Sequence, residues 1–305
     1  MGKLFGTDGI RGIVGENLTA ELAFRVGQAV TMVLKEKKGS APLITIGMDT
    51  RISSDMLESA LISGITSVGG DVMPLGVIPT PAVAYLTVKV EADAGVVISA
   101  SHNPFEHNGI KVFNGQGYKL SDALEEQVEQ KILSGDPMPI EKGSGIGKRI
   151  HGMKNLKYEY IKHLQSTVTD DLAGLRILVD CANGAAAATA PDLFSGFEIE
   201  ADFIHRKPNG VNINDHCGST HLDSLAAMVT AVSVIPAAIL ASVLPVQGTT
   251  ISTSNIRFGP IGSAPAMLSM ISLPVIFRRR SRRSSAVPNR VSIPPACSLR
   301  IGVTL

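Results

Sequence analysis

The chain has 305 residues, with 27 acidic side chains, 28 Lys plus Arg and a formal net charge of +1. That length leaves room for two ordinary domains with real cores, and the near-neutral balance singles out no particular partner. The charge is unevenly spread: every Asp, Glu, Lys and His lies before residue 232, whereas the last 74 residues hold eight Arg, eight Pro, twelve Ser and no acid.

Such a shift is a composition boundary and not a linker. Trp is absent and aromatics are few, which argues against a surface built for nucleobase stacking. The cysteines Cys181, Cys217 and Cys297 show no paired spacing, which suggests a reduced, cytoplasmic setting. The opening Met1-Gly2-Lys3 runs directly into a Gly-rich stretch, so no signal peptide is expected.

In chain order, Gly6, Gly9 and Gly12 surround Thr7, Asp8 and Arg11. Glycines let the backbone approach a ligand, and a guanidinium grips phosphate bidentately; a tight turn with a surface arginine is the plainer reading. Thr19 is placed to cap a helix over 20–37, whose apolar residues from Leu22 to Leu34 share one face, with lysines in the last turn and Gly39 beyond it. A strand over 43–47 leads to Asp49-Thr50-Arg51, where an internal ion pair stiffening the loop is expected. Ser53 or Ser54 caps a helix to about residue 68. A strand over 71–76 and a short helix from Pro79-Thr80-Pro81 to about Thr87 follow. Alternating strands and helices of this length indicate βαβ units and a sheet covered on both faces.

The next strand, 94–101, runs from apolar Gly95-Val96-Val97-Ile98 into Ser99-Ala100-Ser101-His102-Asn103-Pro104. A strand that delivers polar groups at its carboxyl end is how open α/β sheets present chemistry. Ser101 is the candidate nucleophile, with Pro104 and the bonding of His102 and Asn103 holding it. A strand over 109–114 brings Lys111 back beside this segment, and Ser121 caps a helix to about Leu133. Residues 1–150 therefore read as one complete α/β domain. Beyond it come a helix over 154–165, strands over 175–180 and 198–204, and a small-residue helix from Asn183 through Ala188. A polar loop then reaches Ser219 or Thr220, which caps a helix to about Thr230. No fourth ligand is spaced to join His216, Cys217 and His221, so no zinc site is expected there.

Ser-Ala-Ser-His-Asn-Pro followed by Asn108-Gly109-Ile110-Lys111-Val112 resembles the phosphoserine loop of the α-D-phosphohexomutase superfamily. The opening Phe5-Gly6-Thr7-Asp8-Gly9-Ile10-Arg11-Gly12 is similar to that of its bacterial phosphoglucosamine mutase branch. The Asn212-Ile213-Asn214 and Cys217-Gly218-Ser219-Thr220-His221 stretch resembles a loop near the family's domain 1/domain 2 boundary. The resemblance covers about residues 1–231. It implies a phosphohexomutase-type domain 1 with a mixed sheet between helices over 1–150, a partial domain 2 over 151–231, and no domains 3 and 4.

The implied activity is that of an isomerase, an intramolecular phosphotransferase. It interconverts glucosamine 6-phosphate and glucosamine 1-phosphate through a phosphoserine and a bisphosphate, on the route to UDP-N-acetylglucosamine and cell-wall precursors. By resemblance Ser101 carries the phosphate, Arg11 and Lys111 give cationic stabilisation, Lys111 also moves a proton, and His102 orients Ser101 or bonds its phosphate. Mg²⁺ is implied on the Ser101 phosphate, but the family's Asp-Gly-Asp-x-Asp-Arg ligands and its later sugar and phosphate loops are absent. The implied partner is a hexosamine phosphate, with no nucleic acid and no membrane; substrate-binding residues and oligomeric state stay open. Ser99 favours glucosamine over mannose or glucose as the sugar. The alternatives are a phosphomannomutase or phosphoglucomutase, or a catalytically dead remnant that is only phosphorylated or binds a partner.

For residues 232–305, the apolar run 232–246 falls short of a membrane span and contains two prolines. The arginines of 278–283 would neutralise phosphates but lack a surrounding fold. A shift of reading frame near codon 231 explains the lost acids and lysines together with the Ser, Pro and Arg excess. It leads to the expectation of a non-homologous, largely disordered tail, of strands 175–180 and 198–204 lacking a neighbour, and of impaired activity.

Overall fold

A computed structural model describes residues 4–6, 9–151 and 155–233, together with two strands further on. The first sheet is built from β1 (Ile10–Ile13), β2 (Leu43–Met48), β3 (Asp71–Val77), β4 (Ala94–Ile98) and β5 (His107–Asn114), in the order β1-β5-β4-β2-β3. β2 pairs in parallel with β3 and β4, whereas β5 runs antiparallel to both β4 and β1. The sheet is therefore mixed and sits between helices, as the expected fold class requires.

The helices are α1 (Ala20–Lys38), α2 (Ser53–Ser67), α3 (Thr80–Lys89), α4 (Asp122–Leu133) and α5 (Leu156–Ser166). Side chains alternate along β4, so Val96 and Ile98 join the core under α1, α2 and α4 while Val97 joins the one under α3 and α5. Both faces being covered, all five residues of β4 are buried. α1 starts where Thr19 Oγ1 accepts the Leu22 N–H at 3.1 Å and stops at Gly39, whose φ of 75° lets its N–H close on Lys35. α1 and α2 cross where Gly27 meets Gly64: a Cβ on Gly64 would lie 2.1 Å from the Phe24 carbonyl oxygen.

The second sheet holds β6 (Leu175–Asp180) and β7 (Glu200–Ile204), parallel to each other, with α6 (Ala190–Phe194) between them in sequence and α7 (Asp223–Ser233) after them. Two backbone segments, β8 (Thr253–Asn255) and β9 (Pro274–Arg279), extend it in the order β7-β6-β9-β8, β9 lying antiparallel to β6. β6 thus has a neighbour on each side, which corrects the expectation of an unpaired strand there. Apart from β8 and β9, the tail beyond residue 233 lies outside the described residues.

One apolar cluster joins the two sheets, from Ala82 and Leu86 through Tyr160 and Leu164 to Ile177, Val179 and Phe194. Each Leu, Ile, Val or Phe of this cluster contributes about 1.5–3 kcal/mol on burial, which favours packing of the second unit against the first sheet.

Four expected features differ in the structure. β4 ends at Ile98 and not at Ser101, because Ser101 has φ 58°, outside the extended region. The small-residue stretch forms a 3-10 turn at Ala185–Ala188 and the short α6, since Ala182 and Asn183 are left-handed and Thr189 breaks the turn at φ −123°. Ser53 and Ser54 do not cap α2: both hydroxyls accept from Asn108 Nδ2, at 3.0 and 3.2 Å. α7 begins at Asp223, later than a cap at Ser219 or Thr220 would allow.

Candidate active site

The carboxyl end of β4 delivers Ser99-Ala100-Ser101-His102 beside a cleft of about 200 Å³. Its lining includes Asp49, Pro79, Ser101 and His102 from the first unit and Asp180, Cys181 and Asn214 from the second. Ser101 and His102 are exposed. Ser101 is held through its backbone: its N–H donates to Ser99 Oγ at 3.1 Å, and its carbonyl accepts from Arg51 at 3.2 Å and from Asn214 Nδ2 at 3.0 Å. The Asn103 carbonyl accepts from the same two side chains, at 2.5 and 3.0 Å. Within the turn the Asn103 N–H donates to Ala100 O and the His107 N–H to Pro104 O, at 3.2 Å each.

Arg51 reaches the loop because it is pinned beneath it. Its guanidinium is buried and ion-paired with Asp49, whose carboxylate also accepts the Arg51 N–H at 3.0 Å and the Ser54 hydroxyl at 3.3 Å. The expected Asp49–Arg51 pair therefore exists, and it reaches further than the loop it stiffens. Burial is the largest influence on Arg51 and lowers its pKa; Asp49 opposes that, and the neighbouring Arg11 adds to it. Two guanidiniums are thus gathered close to one serine loop, which suits a group carrying two negative charges.

Arg11 and Lys111 come to this end of the sheet by register. Arg11 is paired with Gly109, whose carbonyl accepts the Ser99 N–H at 2.9 Å, and Lys111 is paired with Val97. Paired residues share a face, so both cations lie on the face of Ser99. Gly109 permits the crowding, since a Cβ there would meet the Ser99 carbonyl oxygen at 2.9 Å and the Arg11 stem at 3.1 Å. The lining of the cleft includes Ser101 and His102 but neither Arg11 nor Lys111.

Sequence reasoning missed Asn214, Ser99 as the acceptor for Ser101, and β1 itself, which it took for a turn. Nothing in the spacing of Asn212-Ile213-Asn214 shows that Asn214 meets a loop more than a hundred residues earlier.

The second unit's loops are drawn together by Asp180. Its Oδ1 accepts the Ala182 N–H at 2.8 Å and bonds His205 Nδ1 at 2.9 Å, while Oδ2 accepts the Gly218 N–H at 2.9 Å. Cys217 is buried, with ligand atoms of Asp180, His205 and Cys217 all within 4.8 Å of one another, whereas His216 and His221 are exposed with rings 5.8 Å apart. Burial and the Asp180 charge push the Cys217 thiol up to about 11 and the Cys181 thiol up to about 12.

The implied Mg²⁺ does not fit the residues described. Beside phosphate oxygens and waters it requires at least one or two open carboxylates. The two carboxylates lining the cleft are Asp49, closed by Arg51, and Asp180, already occupied by two backbone N–H groups and His205. The thiol and imidazole beside Asp180 are softer donors than magnesium selects, and no acid follows Asp223 in the sequence.

A mixed five-stranded sheet between helices, with a serine turn at the end of β4 and cations on its face, defines a phosphohexomutase-type first domain. The profile described as phosphoglucomutase/phosphomannomutase, alpha/beta/alpha domain I matches residues 2–138, so over that stretch the chain carries a phosphohexomutase domain I. Among its relatives, the phosphoglucosamine mutase of Acetivibrio thermocellus is 53% identical over 232 residues, covering 75% of this chain and 51% of that protein. That of Ruminiclostridium cellulolyticum is 51% identical over 230 residues, again 75% and 51%.

A phosphoglucomutase/phosphomannomutase family protein from Burkholderia thailandensis shares the fold with a TM-score of 0.64 at 24% identity, over 75% of this chain and 50% of that one. The parafusin (phosphoglucomutase) structure from Paramecium gives 0.53 at 16% identity, over 76% and 48%. The chain spans about half the length of the curated relatives it matches.

Proposed function

We propose that this chain carries the phosphoserine half of a phosphoglucosamine mutase, with Ser101 as the residue that holds and hands over the phosphoryl group. The observation that supports this is the Ser101 turn. Its hydroxyl stands exposed at a cleft while its carbonyl is fixed by Arg51 and Asn214. Arg11 and Lys111 lie on the adjacent strands, on the face of Ser99.

Phosphoryl transfer needs an in-line acceptor and neutralised charge more than covalent subtlety. In this reading the phosphate on Ser101 Oγ passes to a hydroxyl of a hexosamine phosphate, giving a bisphosphate. After the sugar reorients, Ser101 Oγ takes back the other phosphate. Arg11 and Lys111, as cations, offset the charge on the transferring oxygens; Lys111 gives a proton to the departing Ser101 Oγ and regains one from the attacking hydroxyl, and His102 bonds the serine or its phosphate. The family's carboxylate ligands and sugar loops are absent from this sequence, so turnover by the chain alone is expected to be slight. The same reading sets the family's amino-sugar phosphate chemistry in the cytoplasm. Among the described residues no helix is long and apolar enough to cross a membrane.

The test is intact mass of the purified chain before and after phosphatase and after incubation with glucose 1,6-bisphosphate. One phosphate, lost in Ser101→Ala, is expected. Mutase assays with glucosamine, mannose and glucose 6-phosphates then separate the branches. A chain that never takes up phosphate, or takes it up equally as Ser101→Ala, overturns the reading.

A further inference from the structure

We propose that Asn214 is a positioning residue through which the second unit sets the reactivity of Ser101, an inference that rests on the phosphoserine reading above. The Asn214 carboxamide spans two carbonyls of one turn, donating from Nδ2 to Ser101 O and to Asn103 O at 3.0 Å each. Arg51 donates to the same two oxygens from below. Each carbonyl is therefore shared between a donor of the first unit and a donor of the second.

A turn whose serine sits at φ 58° is costly for a non-glycine residue. Nothing in regular structure stabilises it, because β4 has already ended at Ile98. The two donors supply what the strand does not.

Asn214 is itself held. It lies at φ 59°, a region asparagine tolerates better than most residues, and its N–H donates to Ala182 O at 3.0 Å. Backbone tolerance alone would account for an asparagine at this position. It would not account for a carboxamide reaching a loop 111 and 113 residues away. Two further bonds brace the same junction: Thr50 Oγ1 donates to Asn183 O at 2.6 Å and the Ile52 N–H to Gly210 O at 2.8 Å. Loss of the carboxamide leaves these in place, so the contact is separable from docking of the units.

The test uses the full chain and two variants. Asn214→Gly keeps the left-handed backbone and removes the carboxamide. Asn214→Asp keeps the shape but turns an oxygen toward both carbonyls. The readouts are the rate of Ser101 phosphorylation by glucose 1,6-bisphosphate, followed by intact mass across bisphosphate concentrations, and hydrogen exchange of the amides of residues 99–103. Expected for both variants are a fall of about tenfold to a hundredfold in the saturating rate, little change in the half-saturating concentration, faster exchange confined to the turn, and an unchanged melting temperature. Rates and exchange equal to those of the unmodified chain overturn the proposal, as does a loss confined to the half-saturating concentration. If the unmodified chain takes up no phosphate, the phosphoserine reading fails. Exchange at residues 99–103 then decides the positioning claim alone, and unchanged exchange sinks it.

Discussion

The buried guanidinium of Arg51 is ion-paired to Asp49, two residues before it, and donates to the carbonyl of Ser101 fifty residues later. One side chain thus ties the end of β2 to the turn at the end of β4. Removing it leaves a carboxylate that is about 5% exposed with no cation against it. Arg51→Ala is expected to lower unfolding free energy by about 3–5 kcal/mol in urea titration. Arg51→Lys, which keeps the charge but not the planar fork, should fall between the two.

Asp180 organises the second unit in the same manner, with two backbone N–H groups and His205 converging on one buried carboxylate. Asp180→Asn is nearly isosteric but turns an amide donor toward one of those donors. A loss of about 1–3 kcal/mol is expected in chemical denaturation, with faster hydrogen exchange at Ala182 or Gly218. Protection equal to that of the unmodified chain at both amides would contradict this assignment.

The α1–α2 crossing depends on the absence of two side chains. A Cβ at Gly64 would sit 2.1 Å from Phe24 O, and one at Gly27 would sit 2.6 Å from Leu61 O, both backbone atoms that cannot swing away. Gly64→Ala should destabilise by about 1–3 kcal/mol through overpacking, read as a lower melting temperature, although alanine is the better helix former.

Cys181 and Cys217 provide a pH test. Their thiols are pushed up to about 12 and about 11 by burial and by Asp180, whereas an unfolded chain's thiols ionise near 8.5. Between those values the unfolded state releases protons that the native state keeps. The stabilising preference is therefore intact below about pH 8.5 and is lost as pH rises toward about 11. The urea midpoint should fall over that range, and the double variant Cys181→Ser/Cys217→Ser should flatten the fall.

The regular elements of the first unit were largely legible because each announces itself locally. Thr19 and Gly39 bracket an apolar stripe that nothing in the tertiary structure contradicts, and the run before Ser99 is apolar because β4 is covered on both faces. Where local signals pointed wrongly, a distant group had recruited the residue. Ser53 and Ser54 look like helix caps but face Asn108. Gly9 to Gly12 looks like a turn, but Ile10–Ile13 gains its strand partners only when β5 arrives.

From its order of residues alone the chain specifies most of the first unit's strands and helices, that a serine follows the central strand, and that its acids end at Asp223. Those properties are set by spacing, burial pattern and charge, which a linear reading contains. The tertiary structure decided which donors fix the Ser101 turn and which carboxylates are already occupied. Hydrogen bonds from Asn214 and Arg51 to one carbonyl depend on contacts between units far apart in sequence, and no periodicity encodes a contact of that kind.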